Sequence, residues 1–254
     1  MDKPYRSLNE YYRALFGRKA AKISLDGGFT CPNRDGTLGT GGCLFCSAGG
    51  SGDFAENVSR SIPEQIASGR AQTAAKWPDA VYIAYFQAFT NTYAPVQRLR
   101  ETYEAALSCP NIAGLSIATR PDCLPPDVIA LLEELAGRTK LWVELGFQTA
   151  NETTAQLIRR GYPIAVLCEA VRALATRNIP IVVHVILGLP GEGMADALRT
   201  IDLLNTLPIQ GVKLQLLHVL SDSGLAELYH SGAYTPLSKE TYISMAAACI
   251  ARLR

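Results

Sequence analysis

The 254-residue chain lacks the features that would indicate a membrane, secreted or strongly nucleic-acid-binding protein. No apolar run reaches the ~18 residues that a membrane-spanning helix needs, and no charged-then-apolar leader precedes a small-residue cleavage site. The 24 Lys and Arg nearly balance the 23 Asp and Glu, so the net charge of +1 creates no overall field for a polyanion. These absences predict a cytoplasmic protein without a membrane partner.

A disulfide framework is also missing. The chain has seven cysteines, an odd number. Four of them are isolated in the sequence: Cys109, Cys123, Cys168 and Cys249. The other three, Cys31, Cys43 and Cys46, lie in one short segment rich in glycine. Clustered, reduced cysteines favour metal or redox chemistry over structural disulfides.

From residue 80 onward, short apolar runs alternate with segments of helical period, which is typical of βαβ units. We predict six strands, at residues 21–25, 80–86, 114–118, 141–145, 181–187 and 212–219. Because the runs are apolar on both faces, they predict a parallel sheet covered by helices. Ser7, Glu10 and Gly17 predict an N-terminal helix over residues 7–17. No linker divides the chain, so we expect a single α/β domain over residues 1–254.

The segment of residues 27–56 follows the first predicted strand and contains all three clustered cysteines. It is far longer than the ~2–6 residues of a usual βα loop, and long loops in compact domains are commonly functional. In parallel barrels the loops after the strands build the active site. Three thiolates can hold a [4Fe–4S] cluster that has one open iron, able to bind a substrate or cofactor.

The cysteines could also belong to two other kinds of site. Cys43 and Cys46 have the C-x-x-C spacing of half a zinc site, but no fourth ligand lies nearby, since His184 is the first histidine in the chain. A thioredoxin-like redox pair should open a helix, whereas glycine-rich sequence lies on both sides of this pair. The residues therefore favour an iron–sulfur site and leave a zinc site as the alternative.

The motifs around the cysteines resemble those of the radical S-adenosylmethionine (SAM) superfamily. The wide spacing between Cys31 and Cys43 is similar to that of the subgroup near the Elongator catalytic subunit. Across residues 5–228, the chain resembles the YhcC/YtqA-type bacterial proteins. The segments that carry this resemblance are KISLDGGFTCPNRDGT, GGCLFCSAGGSGDFA, YFQAFTNTYA, ATRPDCLP, WVELGFQT, ILGLPGEG and VKLQLLHVL.

The resemblance implies a partial (β/α)6 TIM-like barrel, open on one side because six strands cannot close the circle that eight close. It further implies that Cys31, Cys43 and Cys46 hold a [4Fe–4S] cluster whose open iron binds SAM. One electron, from a donor such as flavodoxin or ferredoxin, would then split SAM into methionine and a 5′-deoxyadenosyl radical. Relatives of this type act on transfer RNA (tRNA), converting carboxymethylaminomethyl to aminomethyl at the wobble uridine. The C-terminal segment that follows in relatives is expected to be missing here.

A carboxylate inside an apolar strand is costly unless it is paired or reaches a polar cavity. Glu144 lies in the run LWVEL, and period-two alternation places Glu144, Gly146 and Gln148 on one face. We assign Gln148 to the SAM ribose and Glu144 to SAM or the substrate.

The resemblance implies roles for further residues. Phe45 matches an aromatic that contacts adenine, although a core position is a fair rival. Gln87 follows the second strand, where backbone contact with the methionine amine is expected. Arg160, with Arg159 as the alternate register, would meet the SAM carboxylate. His184 would face the ribose, and Gly188 would allow close backbone approach to adenine.

Several assignments stay open. Lys213 and His218 flank the sixth strand and are candidates for substrate contact or proton transfer. Arg120 could serve SAM, an anionic substrate group or a salt bridge in a turn. Besides a tRNA-modifying enzyme, the sequence allows a radical SAM enzyme acting on a protein or small molecule. It also allows a non-catalytic iron–sulfur or zinc-binding protein.

Overall fold

The computed structural model describes residues 5–254. Six β-strands lie in this range: β1 (Ala20–Leu25), β2 (Val81–Phe86), β3 (Ile112–Thr119), β4 (Lys140–Gln148), β5 (Ile181–Leu187) and β6 (Gly211–Leu216). The α-helices are α1 (Leu8–Phe16), α2 (Ile62–Ala74), α3 (Val96–Leu107), α4 (Pro126–Ala136), α5 (Glu152–Leu157), α6 (Ile164–Ala175), α7 (Met194–Leu204), α8 (Gly224–His230) and α9 (Lys239–Arg252). No helix among these residues is long and apolar enough to cross a membrane.

The six strands form one parallel sheet in the order β1-β2-β3-β4-β5-β6. Within the described chain β1 and β6 pair with only one neighbour each, which confirms the predicted partial barrel, open on one side. All six predicted strands are present. β4 continues beyond the predicted end, through Gln148, and β6 stops at Leu216. Just after β6, the Leu217 N–H still donates to the Leu187 carbonyl at 3.0 Å, and the Leu217 side chain packs in a separate apolar cluster with Leu44 and Ile186.

The helix boundaries follow local capping chemistry. Ser7 and Glu10 form a reciprocal capping box at the start of α1, and Gly17 ends the helix in the left-handed conformation with φ 69°. This confirms the helix predicted over residues 7–17. Ser61 and Glu64 repeat the capping box at α2.

The main core lies between the sheet and the helices. Phe86 of β2 packs edge-on against Tyr103 of α3, with ring centroids 5.2 Å apart, and both side chains are fully buried. Leu99 of α3 lies in the same apolar cluster. This packing holds the helices against the sheet, and because all strands are parallel, the loops after their C-termini emerge at the same edge of the sheet.

The segment between β1 and α2 contains turns but neither helix nor strand. Gln65 of α2 holds its start, accepting from the backbone N–H of Asp26 and donating to the Asp26 carbonyl, both at 2.9 Å. Further on, the Leu44 N–H donates to the Ile158 carbonyl at 3.0 Å. A long loop tied down by hydrogen bonds can hold its cysteines in fixed positions.

Replacing Leu99 with Ala tests the packing of the main core. Leu99 has no exposed surface, so Leu99→Ala should lower the free energy of unfolding by about 2–5 kcal/mol through lost burial and a residual cavity. Leu157→Ala is the matched control, because Leu157 is 49% exposed and should change stability by less than about 1 kcal/mol. Urea unfolding measures both. Equal losses in the two variants would contradict the described core.

Candidate functional site

A cavity of about 220 Å³ opens beside the C-terminal ends of the strands. Its lining includes most of the predicted site residues: Cys31, Phe45, Cys43, Cys46, Gln87, Arg120, Glu144, Gln148, Arg160, His184, Lys213 and His218. Gly188 lies outside this lining. Its φ of +91° and the approach of Leu237, whose Cγ would lie 2.8 Å from an added Cβ, account for a glycine there. The sequence therefore locates one convergent site, with Gly188 beside it.

Polar groups surround the sulfur atoms of the cysteine loop. The Asn33 side-chain amide donates to Cys43 Sγ at 3.3 Å and to the Arg159 carbonyl at 2.7 Å. The hydroxyl of Ser51 lies 3.6 Å from Cys46 Sγ. A hydrogen bond between the thiols of Cys43 and Cys46 lowers the pKa of Cys46 to about 7 and raises that of Cys43. The hydrogen bond from Ser51 contributes to this lowering of the Cys46 pKa, against the opposing effect of burial. The loop thus stabilises a thiolate, the form that binds metals.

Two arginines bring positive charge to the cysteines. Arg34 donates to the Ser47 carbonyl, and its charge helps to lower the pKa of Cys46. Arg120 forms a two-point ion pair with Asp122, at 2.9 and 2.7 Å, so the predicted turn salt bridge exists. Arg120 also lines the cavity and interacts electrostatically with Cys31 and Cys43. An anionic iron–sulfur centre would find compensating charge here.

Cys31, Cys43 and Cys46 line the same cavity. Among residues 5–254, no group of three or more His, Cys, Asp or Glu side chains is placed to hold one metal ion. A four-iron cube instead takes each thiolate on a different iron atom, whereas structural zinc needs four ligands around one ion. Three thiolates on one cavity wall are the donor set of a four-iron cluster that keeps one iron open.

Glu144 is the centre of a buried polar network on the inner side of the sheet. Its Oε1 accepts hydrogen bonds from Lys22 of β1 and Ser116 of β3. Its Oε2 lies 2.7 Å from Nε2 of His184 of β5. The predicted contact between Glu144 and SAM or substrate stays a prediction, because both oxygens already have protein partners.

Burial and pairing set the charges of this network. Burial alone would raise the pKa of Glu144, but the hydrogen bond with His184 and the charge of Lys22 outweigh it and hold the pKa far below its usual value. Burial lowers the pKa of His184 and outweighs the contact with Glu144. Near neutral pH the network therefore contains an ionised carboxylate, a neutral imidazole and the Lys22 ammonium.

Gln148 provides an acceptor that the protein leaves unused. It has φ +75° at a register shift between β4 and β5, and its side chain lines the cavity. Its buried Oε1 has no hydrogen-bond partner within the described residues. Since such an atom costs about 1–3 kcal/mol unless a donor reaches it, the site fits a ligand that carries hydroxyl or amine groups, as SAM does.

Arg160 and Gln87 are partly committed to the protein. The guanidinium of Arg160 donates to the carbonyls of Tyr162 at 2.9 Å and Thr149 at 2.6 Å, and to Glu152 at 2.9 Å. Gln87 donates to the Ser51 carbonyl at 2.9 Å. These contacts hold both side chains at the cavity wall, and their roles toward SAM stay predictions.

Sequence reasoning missed Lys22, Ser116, Asn33 and Arg34. A signal existed for the first two, because each is a polar residue inside an otherwise apolar strand, as Glu144 is. Asn33 and Arg34 follow Cys31 closely in the sequence, but only the folded loop turns them toward Cys43 and Cys46.

A family model described as the radical SAM superfamily matches residues 33–204, and one described as the radical SAM C-terminal domain matches residues 209–254. The chain belongs to the radical SAM superfamily. This confirms the resemblance drawn from the cysteine motifs and makes the protein a radical SAM enzyme.

Curated relatives agree with this membership. The chain is 47% identical over 244 residues to the uncharacterized protein YtqA of Bacillus subtilis, covering 96% of this chain and 76% of YtqA. It is also 28% identical over 142 residues to Elongator complex protein 3 of Homo sapiens, covering 54% of this chain and 25% of that protein.

A solved structure shares the fold. The Elp3 protein of the archaeon Methanocaldococcus infernus superposes with a TM-score of 0.66 at 16% identity, covering 91% of this chain. This chain spans 53% of that structure, about half its length. The likeness establishes the radical SAM barrel as the shared architecture.

Removing the charge of Glu144 tests the buried network. Glu144→Gln should lower the free energy of unfolding by about 3–5 kcal/mol, because Lys22 would lose its buried counterion. Glu134→Gln is the control, since Glu134 pairs with Arg100 at the surface and should change stability little. Urea unfolding at pH 7 measures both. Similar effects in the two variants would contradict the central role of Glu144.

The lowered pKa of His184 predicts acid sensitivity. Unfolded histidine binds a proton near pH ~6.5 while folded His184 resists it, so stability from this residue is present above that pH and declines as pH falls. His184→Gln should therefore flatten the dependence of unfolding free energy on pH between 7 and 5.5. His230→Gln, at the exposed end of α8, should leave it unchanged. Parallel curves for His184→Gln and wild type would refute the assignment.

Proposed function

We propose that the chain is a cytoplasmic radical SAM enzyme that modifies the wobble-uridine side chain of tRNA, converting carboxymethylaminomethyl to aminomethyl. The single observation that carries the chemistry is the convergence of Cys31, Cys43 and Cys46 on one cavity inside a radical SAM barrel. Its electron donor would be a small redox protein such as flavodoxin or ferredoxin.

Cys31, Cys43 and Cys46 would hold a [4Fe–4S] cluster, and the unused acceptor of Gln148 would face SAM. When bound together, these groups supply a one-electron cleavage of SAM that yields a strong hydrogen-abstracting radical. Asn33 and Ser51 would orient the cysteine sulfur atoms through their hydrogen bonds to them. Hydrogen bonds of this kind also influence the reduction potential of an iron–sulfur cluster. Phe45, beside Cys46 on the cavity wall, would exclude water from the adenine side.

The tRNA substrate is supported by relationship. Elongator complex protein 3, whose distant similarity covers about half of this chain, is the relative that suggests it. The open side of the barrel would admit a nucleotide extended from a larger molecule. Arg34 and Arg120, both at the cavity, would add positive charge near an RNA strand.

Cys43→Ala tests the cluster assignment. After anaerobic reconstitution, wild type should contain about four irons per chain and form 5′-deoxyadenosine from SAM under reducing conditions. Cys43→Ala should abolish SAM cleavage, whereas Cys168→Ala, outside the cavity on α6, should retain it. A colourless protein with one zinc per chain would support the non-catalytic alternative.

Mass spectrometry of tRNA nucleosides tests the substrate. Cells lacking the gene should accumulate the carboxymethylaminomethyl nucleoside and lose the aminomethyl form, and wild type but not Cys43→Ala should restore it. An unchanged nucleoside profile, with SAM cleavage intact, would replace tRNA by a protein or small-molecule substrate.

A further inference from the structure

Lys213 of β6 is a partly buried cation that lines the cavity and forms no ion pair within the described residues. Its ammonium donates one hydrogen bond, to the Tyr85 hydroxyl at 3.3 Å. It also lies 5.4 Å from the centre of the Tyr85 ring. Burying an ammonium group partway without a carboxylate beside it costs free energy, so the missing counterion of Lys213 needs an explanation.

The nearest carboxylate is already committed. Glu144 gives Oε1 to Lys22 and Ser116 and Oε2 to His184. Burial lowers the pKa of Lys213, and the charge of Glu144, which is paired directly with Lys22, opposes this only as a longer-range field. Within the described residues the two lysines therefore share one carboxylate, which pairs with Lys22 and leaves Lys213 without an ion-pair partner.

Tyr85 cannot supply the missing negative charge. Burial and the nearby charge of Glu144 raise the pKa of Tyr85 far above its usual value, so the ring stays a neutral phenol. Lys22 lies 4.2 Å from the centre of the same ring. Tyr85 is thus placed between two ammonium groups and stabilises both through its ring without neutralising either.

A second donor stands next to Lys213 on the same face of β6. Gln215 lies two residues further along the strand and lines the cavity, and within residues 5–254 its side chain makes no hydrogen bond. An ammonium and an amide N–H that both face a cavity suit the two oxygens of a carboxylate.

We propose that Lys213, assisted by Gln215, binds the carboxylate of the substrate at the inner end of the cavity. This subsite rests on the proposed function in one respect: the carboxymethylaminomethyl group carries a carboxylate that its product lacks. Lys213 would then select substrate over product through charge and orient the side chain beneath the SAM site. Lys213 is a binding residue in this account and takes no part in electron transfer.

The test measures equilibrium binding to the SAM-loaded holoenzyme with an oxidised cluster, so that no turnover occurs. The first pair of probes is the nucleoside 5-carboxymethylaminomethyluridine and its carboxamide analogue, in which an uncharged amide replaces the carboxylate. The second pair, which contains no uridine, is N-methylglycine and N-methylglycinamide at millimolar concentration. Wild type should bind each carboxylate about 10- to 100-fold more tightly than its amide.

Three variants test whether Lys213 causes this preference for carboxylate. Lys213→Met keeps the length of the side chain and should remove the preference for carboxylate over carboxamide. Lys213→Arg keeps the positive charge and should preserve most of the preference for carboxylate. A loss in Lys213→Met but not in Lys213→Arg separates an effect on binding from an effect on folding. Lys239→Met, at an exposed position on α9, should match wild type. Thermal melting and cluster absorbance confirm that each variant is folded and loaded.

The outcomes separate this proposal from the proposed function. If the glycine pair shows a Lys213-dependent preference but the nucleoside does not bind, the subsite stands and the uridine substrate falls. If the nucleoside binds and Lys213→Met keeps the carboxylate preference, the subsite falls and the uridine substrate stands. No carboxylate preference in wild type for either pair would overturn the subsite.

Discussion

The buried carboxylate of Glu144 needs a cationic partner, and bringing that partner to it constrains the shape of the whole sheet. Neighbouring strands lie about 4.8 Å apart, so in a flat sheet β1 and β4 would be separated by about 14 Å. Lys22 of β1 nevertheless contacts Glu144 of β4, and His184 of β5 contacts it from the other side. This is possible because the sheet curls around its inner face. The same curvature encloses the cavity into which the cysteine loop delivers its thiols.

In the interior of the site, charged groups pair with one another. At the cavity wall, other polar groups keep bonding capacity that the protein does not use. Glu144 and Lys22 satisfy each other, which leaves the Gln148 acceptor, the Lys213 ammonium and the three thiols available to ligands. The groups that keep unused bonding capacity therefore mark where cofactor and substrate would bind, whereas the fully paired ones support the barrel. Arg160 belongs with the supporting group through its bonds to backbone carbonyls.

The cysteine motif and the βα pattern were readable from the sequence because both are local. Strand positions followed from continuous apolar runs, and Glu144 was recognisable as a carboxylate out of place among them. The partners of Glu144 were not readable, because Ser116 meets it through the pairing of β3 with β4, and Lys22 of β1 meets it only through the curvature of the sheet. Likewise, the extension of β4 to Gln148 depends on pairing with β5, which no local pattern encodes.

In the proposed enzyme, the three-cysteine site leaves one iron of the cluster open for SAM. Electron–nuclear double resonance on the reduced, reconstituted protein tests it directly, using SAM labelled with ¹⁵N in its amino group and ¹⁷O in its carboxylate. The account predicts that the cluster signal shows coupling to both labels when SAM is added. A reduced four-iron signal without coupling to either label would contradict it.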